Sequence, residues 1–438
     1  MKLKQIYVCS ACQHQSPKWA GQCFSCNKWN TYAEDVINVG NKERTYKAIA
    51  IKPKIHLSDL PETAKRITTG IGELDRVLGG GLVSDSLVLL VGDPGIGKST
   101  LTIQTCDRLA GLGRSVLYFS GEESVGQIAT RAKRLNLKNP ISIVNTNSLE
   151  AILATIEEER PSFIVVDSVQ VMSSENLDSH AGSIPQIRHT AEQLMQVAKQ
   201  KGIPILLIGH VNKEGQLAGP QVLTHLVDTV LYLEGDNFQQ FRLLRSTKNR
   251  YGAVDEVGVF LMEEKGLTEV KNPSAAFLDG RAENPIGSVI VPVLEGTRTF
   301  LIEVQALTSY TQFGYPKRTA SGFDLNRLNI IIAVLERYAN LKLDSSDVYV
   351  NVVGGLKLKE PAADLAIAMA IASSKLKKPL PSTLAAMGEM GLSGEIRKVT
   401  QAEKREKEAK KMGFKVVGGK TIGEVIHGAF GFEESPRP

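Results

Sequence analysis

Short apolar runs punctuate the first half of the chain: Ser86 to Val91, Val116 to Phe119, Ile141 to Val144, Phe163 to Val166, Ile205 to Ile208 and Thr229 to Leu233. Helix-periodic stretches separate the earlier ones. Runs this uniformly apolar belong to strands buried on both faces, and their alternation with helices predicts a mainly parallel sheet covered on both sides. Residues 66–271 therefore read as one α/β domain with ligands at the carboxyl ends of its strands. The pattern changes after residue 272, where Asn272-Pro273 and Glu283-Asn284-Pro285 mark a boundary. Strand-like Ser288 to Val293 and Thr299 to Val304 follow, then apolar-periodic helices near 325–339 and 361–375, which predicts a second α/β domain over 272–438. Residues 1–30 are too few to fold on an apolar core alone. Residues 31–65 alternate polar and apolar positions amid Lys42, Arg44, Lys47, Lys52, Lys54, Lys65 and the adjoining Arg66, and read as a linker with little regular structure.

Composition adds limits. No apolar stretch approaches the roughly 20 residues of a membrane span, and the N-terminal segment lacks a signal-peptide core, so a cytoplasmic protein with no membrane partner is expected. A net charge of +5 neither demands nor excludes nucleic acid. Four of the five cysteines stand as Cys9-x2-Cys12 and Cys23-x2-Cys26. Doubled knuckles put two thiolates on each of two tight turns, which satisfies a tetrahedral Zn²⁺ and points to a structural site whose metal supplies the folding free energy. Trp19 and Trp29 flank the second knuckle and are expected to cover the metal, with a partner-binding surface as the alternative. Cys106, alone on a later helix, reads as a small core residue.

The apolar run ending at Val91 leads into Gly92-Asp93-Pro94-Gly95-Ile96-Gly97-Lys98-Ser99-Thr100, and a helical pattern follows. This is G-x-x-x-x-G-K-[ST] in the strand–loop–helix context that a phosphate-binding loop requires. Its glycines let several backbone N–H groups turn toward one phosphate, and the helix N-terminus adds partial positive charge. Lys98 is placed to reach the β- and γ-phosphates of ATP, and Ser99 to complete the shell of Mg²⁺. Asp167 ends an apolar strand and is a candidate second group for Mg²⁺. Ser120-Gly121-Glu122-Glu123 ends another strand; a carboxylate there can polarise the attacking water. Glu122 is the first candidate for that base and Glu123 the second, unless one of them caps the helix starting near Ser124. His210 follows the fifth strand, where it either senses the γ-phosphate or is structural.

These motifs, with Thr69-Gly70-Ile71-x-Glu73-Leu74-Asp75-x-x-Leu78-Gly79-Gly80-Gly81, resemble the RecA-type ATPase superfamily. Lys248-Asn249-Arg250-Tyr251-Gly252 is narrower: with the four N-terminal cysteines, it resembles the RadA (Sms) family of bacterial DNA-repair proteins, whose pattern has Phe where this chain has Tyr251. The resemblance implies an α/β RecA-like P-loop ATPase core and a DNA-dependent ATPase. It implies a hexameric ring that acts as a branch-migration helicase on single-stranded and branched DNA in recombinational repair, with the recombinase RecA as partner. A clamp that holds DNA without translocating is the alternative. Lys248 and Arg250, two residues apart on an extended segment, point the same way; in related rings similar to DnaB such a pair reaches the neighbouring subunit's nucleotide. Polar segments Ser173 to Ser183 and Asn212 to Gln221, with Lys213, are candidates for DNA contact. The C-terminal region resembles the protease domain of Lon, but the nucleophile position is Ala362 and the lysine position falls at about Glu403, so peptidase activity is rejected. Basic Lys317 and Arg318 in the Pro316 to Gly322 loop are further candidates for DNA contact. The run Lys404 to Lys411 mixes signs and reads as a solvated face.

Overall fold

The computed structural model describes residues 3–12, 14–38, 65–210, 221–235, 240–312 and 314–430. The chain forms two compact units, Met1–Glu62 and Thr63–Pro438. Lys42, Arg44, Lys47, Lys52, Lys54 and Lys213 lie outside the described residues.

In the first unit, strand Leu3–Cys9 pairs antiparallel with both Gln15–Ser16 and Tyr32–Asn38. The linker expected from residue 31 is thus a strand at its start. Its seven residues pair with Leu3–Cys9, and Tyr32 is buried against Cys9 and Cys23. At the other end of the expected linker, Arg66 is not a solvated base: its guanidinium donates to the carbonyls of Leu78 at 2.9 Å and Gly81 at 3.2 Å, and to that of Tyr251.

The second unit is built on two sheets. The first contains β1 (Leu87–Gly92), β2 (Val116–Ser120), β3 (Ser142–Asn145), β4 (Phe163–Asp167), β5 (Ile205–Ile208), β6 (Thr229–Glu234), β7 (Phe241–Asn249), β8 (Val257–Glu263) and β9 (Gly266–Glu269) in the order β9-β8-β7-β6-β1-β5-β4-β2-β3. β1 to β6 run parallel and β7 to β9 form an antiparallel extension. Side-chain alternation divides β1 between two cores. Val88 and Leu90 pack with Leu101 and Leu109 of helix α1 (Lys98–Gly111), while Leu87, Leu89 and Val91 pack with Leu194 and Ala198 of helix α2 (Ile184–Lys201). Cys106 is fully buried in the first of these cores.

The second sheet has six strands, centred on the hairpin Ser288–Glu295 and Arg298–Tyr310. Helices Leu325–Tyr338 and Asp364–Leu376 cover it, the latter buried from Asp364 to Ser374. Residue 272 is not followed by a tether. Asn272 caps a short helix, Pro273–Phe277, and Leu243, Val257 and Val259 of the first sheet share one apolar cluster with Phe277 and Phe300. The basic loop expected at 316–322 is in part an edge strand, Arg318–Ser321, parallel to Ser346–Val352. Arg318 donates to the carbonyls of Ser346 and Leu343, so only Lys317 of that pair extends an exposed side chain. Among the described residues no helix is long and apolar enough to cross a membrane.

Candidate nucleotide site and metal centre

The phosphate-loop motif occupies the carboxyl end of β1. Helix α1 begins at Lys98, with Gly97 at φ 115° as its N-cap. A Cβ on Gly97 would stand 2.6 Å from Met262 Cε, so the glycine both permits the turn and lets the β8–β9 hairpin close over it. Lys98 is buried, and its ammonium donates to the carbonyls of Gly92 at 2.8 Å and Asp93 at 3.0 Å. Burial draws its pKa below the ordinary lysine value, while Asp167, Asp93 and Glu122 oppose that shift.

Spatial neighbours of β1 supply the acids. In the order β1-β5-β4-β2, His210 lies two residues past β5, Asp167 ends β4, and Glu122 lies two residues past β2. Asp167 is 6% exposed and accepts from the Tyr118 hydroxyl; burial raises its pKa, and the hydroxyls of Tyr118 and Ser99 pull it back. Glu122 accepts from the Ser168 hydroxyl and has His210 Nε2 at 3.4 Å. That distance is long for a hydrogen bond, and Nε2 has no other partner. His210 is the first cause of a Glu122 carboxyl held below the usual glutamate range; burial works against it, and Ser168 and Lys98 add to it. Glu123 points elsewhere, into an ion pair with Arg131. Neither glutamate caps the following helix, because Ser124 does so through a capping box with Gln127.

Lys248 and Arg250 sit at the opposite end of the sheet. Asn249 and Val88 both pair with Thr229, whereas the phosphate loop starts at Gly92, four residues further along β1 and about 13 Å away at the usual strand rise. Lys248 Nζ donates to the carbonyls of Thr224 at 2.6 Å, His225 at 3.3 Å and Val227 at 2.8 Å. Arg250 reaches the same His225 carbonyl at 3.4 Å and pairs with Asp228 at 3.2 Å, so the two cations do point the same way. Asn249 accepts from the Tyr251 backbone N–H at 3.0 Å, which fixes the turn. The tyrosine hydroxyl accepts from Lys199 at 2.7 Å, so this departure from phenylalanine gains a polar partner. A Cβ on Gly252 would lie 3.1 Å from Asn249 Nδ2, a tight contact, and 3.5 Å from Gly79 Cα.

The four N-terminal sulfurs all lie within 4.8 Å of one another, with Cys9 to Cys26 at 3.7 Å and Cys12 to Cys23 at 3.6 Å. A tetrahedron with Zn–S bonds of about 2.3 Å has edges of about 3.8 Å, so these residues fit zinc. The Thr31 hydroxyl, 3.2 Å from Cys9 Sγ, holds that thiol down at about 6, while, against the Lys28 backbone N–H, burial and the other three sulfurs hold Cys26 up at about 11. Trp19 and Trp29 do not cover the cluster. They are 57% and 69% exposed, and Tyr32, Tyr7 and Ala20 pack against the cysteines instead.

Three family profiles match: an AAA domain over residues 53–216, a rubredoxin metal-binding domain over 7–34, and subunit ChlI of Mg-chelatase over 316–418. The DNA repair protein RadA of Bacillus subtilis is 47% identical, with 94% of this chain and 92% of that protein aligned. The chain belongs to the RadA family of DNA repair proteins. RadA of Aquifex aeolicus is also 47% identical, over 94% of this chain and 93% of its own, and RadA of Streptococcus pyogenes is 43% identical over 98% and 99%. A KaiC-like protein of Pyrococcus horikoshii superposes at TM-score 0.40 with 20% identity, covering 47% of this chain and 99% of its own. The chain is an ATPase, with a P-loop core and a four-cysteine zinc ribbon.

Several partners were not legible in sequence. Tyr118 and Ser168, which hold Asp167 and Glu122, lie on a neighbouring strand and one residue past a strand end. Asp228 is another: it is 1% exposed, accepts from the Leu87 N–H at 3.1 Å, and binds Lys199 and Arg250. The segment Ser173 to Ser183 is pinned from beneath by buried Gln186, which bonds Ser174 and the carbonyls of Leu177 and Ser179. A lone aspartate before a strand, or one glutamine in an amphipathic helix, carries no sequence signal of such a role.

Proposed function

We propose that the protein is a DNA-dependent ATPase that forms a hexameric ring on single-stranded or branched DNA and drives branch migration as a helicase, working beside the recombinase RecA. The observation that carries the ring is the separation of the two halves of the site. The phosphate loop and acids occupy one end of the sheet, and Lys248 and Arg250 the other, so one chain cannot bring both to a single nucleotide. A head-to-tail neighbour can.

In this scheme Lys98 holds the β- and γ-phosphates, while Ser99 and Asp167 would hold Mg²⁺, which would supply charge neutralisation at the phosphate oxygens. Glu122 takes the proton of the attacking water as its oxygen bonds to the γ-phosphorus and the bond to the β-phosphate oxygen breaks, leaving ADP and phosphate. Glu123, paired with Arg131, is left with a positioning role in this scheme. His210, against Glu122, is the γ-phosphate sensor. Lys248 and Arg250 of the next subunit neutralise charge on the transferred phosphoryl group. Lys213 and Lys317 contact DNA; Arg318 is structural, because its guanidinium is occupied. Peptidase chemistry has no support: Ala362 offers a buried methyl group, and Glu403 is an exposed carboxylate.

The test is unwinding of a forked duplex. A motor separates the strands in proportion to hydrolysis. Equal binding with a non-hydrolysable ATP analogue and no unwinding would replace the motor with a clamp.

A further inference from the structure

We propose that the zinc ribbon carries its own binding face for single-stranded nucleic acid, with bases stacking on Trp19, Phe24 and Trp29 and phosphates paired with Lys18 and Lys28. The three rings are 57%, 75% and 69% exposed. Trp19 and Trp29 flank Gly21: a Cβ there would make ordinary contacts at 3.8 Å with Trp19 and 3.7 Å with Trp29, so both rings lie beside the same stretch of backbone. Trp19 and Phe24 also line a cleft of ≈ 490 Å³ together with Lys18.

Two features of the sequence select the occupant. No Asp or Glu occurs before Glu34, so no carboxylate from residues 1–33 stands against phosphate on this face. No Leu, Ile, Val or Met occurs from residue 10 to 31, so the face offers ring surfaces, amides and cations, with only Pro17 and Ala20 as aliphatic lining of the cleft. Protein–protein interfaces pair aromatic rings with few lysines, whereas planar bases need ring faces and nearby cations such as Lys18 and Lys28. The metal cluster does not claim the rings, since Tyr32 fills that role.

This inference deepens the DNA-motor reading and borrows from it only the choice of probe. The test exploits an accident of composition: the chain has two tryptophans, both on this face. Their intrinsic fluorescence in the full-length, zinc-loaded protein therefore reports on the ribbon alone. Titration with a short oligothymidylate should quench it, and the quench should weaken with salt. In parallel, the anisotropy of a labelled oligothymidylate reports binding anywhere on the protein. Trp29→Ala should lower the affinity about tenfold, within the range for loss of one base stack, while Trp29→Phe should keep most of it. Anisotropy that rises while tryptophan emission stays unchanged overturns the inference, leaves the DNA-motor reading intact and assigns the aromatic face to a protein. No rise in anisotropy at all overturns both.

Discussion

Glu122 and Glu123 are adjacent in sequence and meet different chemistry, because a turn after a strand sends successive side chains in different directions. Glu122→Gln should bind ATP and fail to turn it over, since the phosphate contacts remain and the proton acceptor is gone. Glu123→Gln should instead loosen the Arg131 contact and retain most turnover; single-turnover hydrolysis beside nucleotide binding separates the two cases. The depressed pKa of Glu122 sets the sign of a pH effect. Its stabilising contribution is present above the ordinary glutamate value of about 4.3 and is lost as pH falls through the lower folded value. His210→Ala removes the first cause of that depression, so the acid limb of kcat/KM should move to higher pH; an unmoved limb would mean that Glu122 is not the titrating base. In the C-terminal region, Arg405 is fully buried, makes two 2.6 Å bonds to Glu360 and donates to the carbonyl of Pro292 at 2.8 Å. Arg405→Ala leaves the part-exposed Glu360 with the Leu294 N–H alone and should cost up to about 3 kcal/mol, read as a lower denaturant midpoint.

At the scale of elements, the ribbon is larger than its knuckles. Strand Tyr32–Asn38 completes its sheet, so metal and sheet should be lost together. Cys9→Ser should release zinc and expose residues 3–38 to protease, while the unit from Thr63 onward stays resistant. Zinc content and the cleavage pattern check both halves; retained zinc would remove the assignment of Cys9. The knuckles were readable because ligand spacing is local. Strand Tyr32–Asn38 was not, because its partner Leu3–Cys9 lies far away in sequence and a run such as Glu34-Asp35 looks solvated by itself. The Arg318 strand was hidden for the same reason: its partners are the carbonyls of Leu343 and Ser346.

For the whole molecule, the distance between the phosphate loop and Lys248–Arg250 makes complementation the decisive measurement. Arg250→Ala should leave ATP binding nearly intact and lower hydrolysis by as much as roughly 10³-fold. Lys98→Ala should lose productive binding. Mixed together, an Arg250→Ala subunit can present ATP to an intact finger on a Lys98→Ala neighbour, so some activity should return. No recovery in rings shown by gel filtration to be mixed would confine Lys248 and Arg250 to another role. The ion pair of Arg245 with Glu295 at 2.8 Å joins the two sheets of the second unit, and that of Arg298 with Glu73 ties the second sheet to helix Gly72–Leu78, so the C-terminal region is a packed continuation of the ATPase.

The phosphate loop, the acidic strand ends and the four cysteines were determined by sequence alone, because each depends on short-range spacing: a glycine-rich turn between a strand and a helix, an acid at the end of an apolar run, two thiols on one knuckle. Which glutamate faces the cleft, what holds Asp167, where the tryptophans point and which end of the sheet carries Lys248 and Arg250 were decided only by tertiary structure. Those outcomes depend on strand order and on partners distant in sequence. The order β1-β5-β4-β2, which gathers Lys98, His210, Asp167 and Glu122, follows from crossovers that no local pattern records.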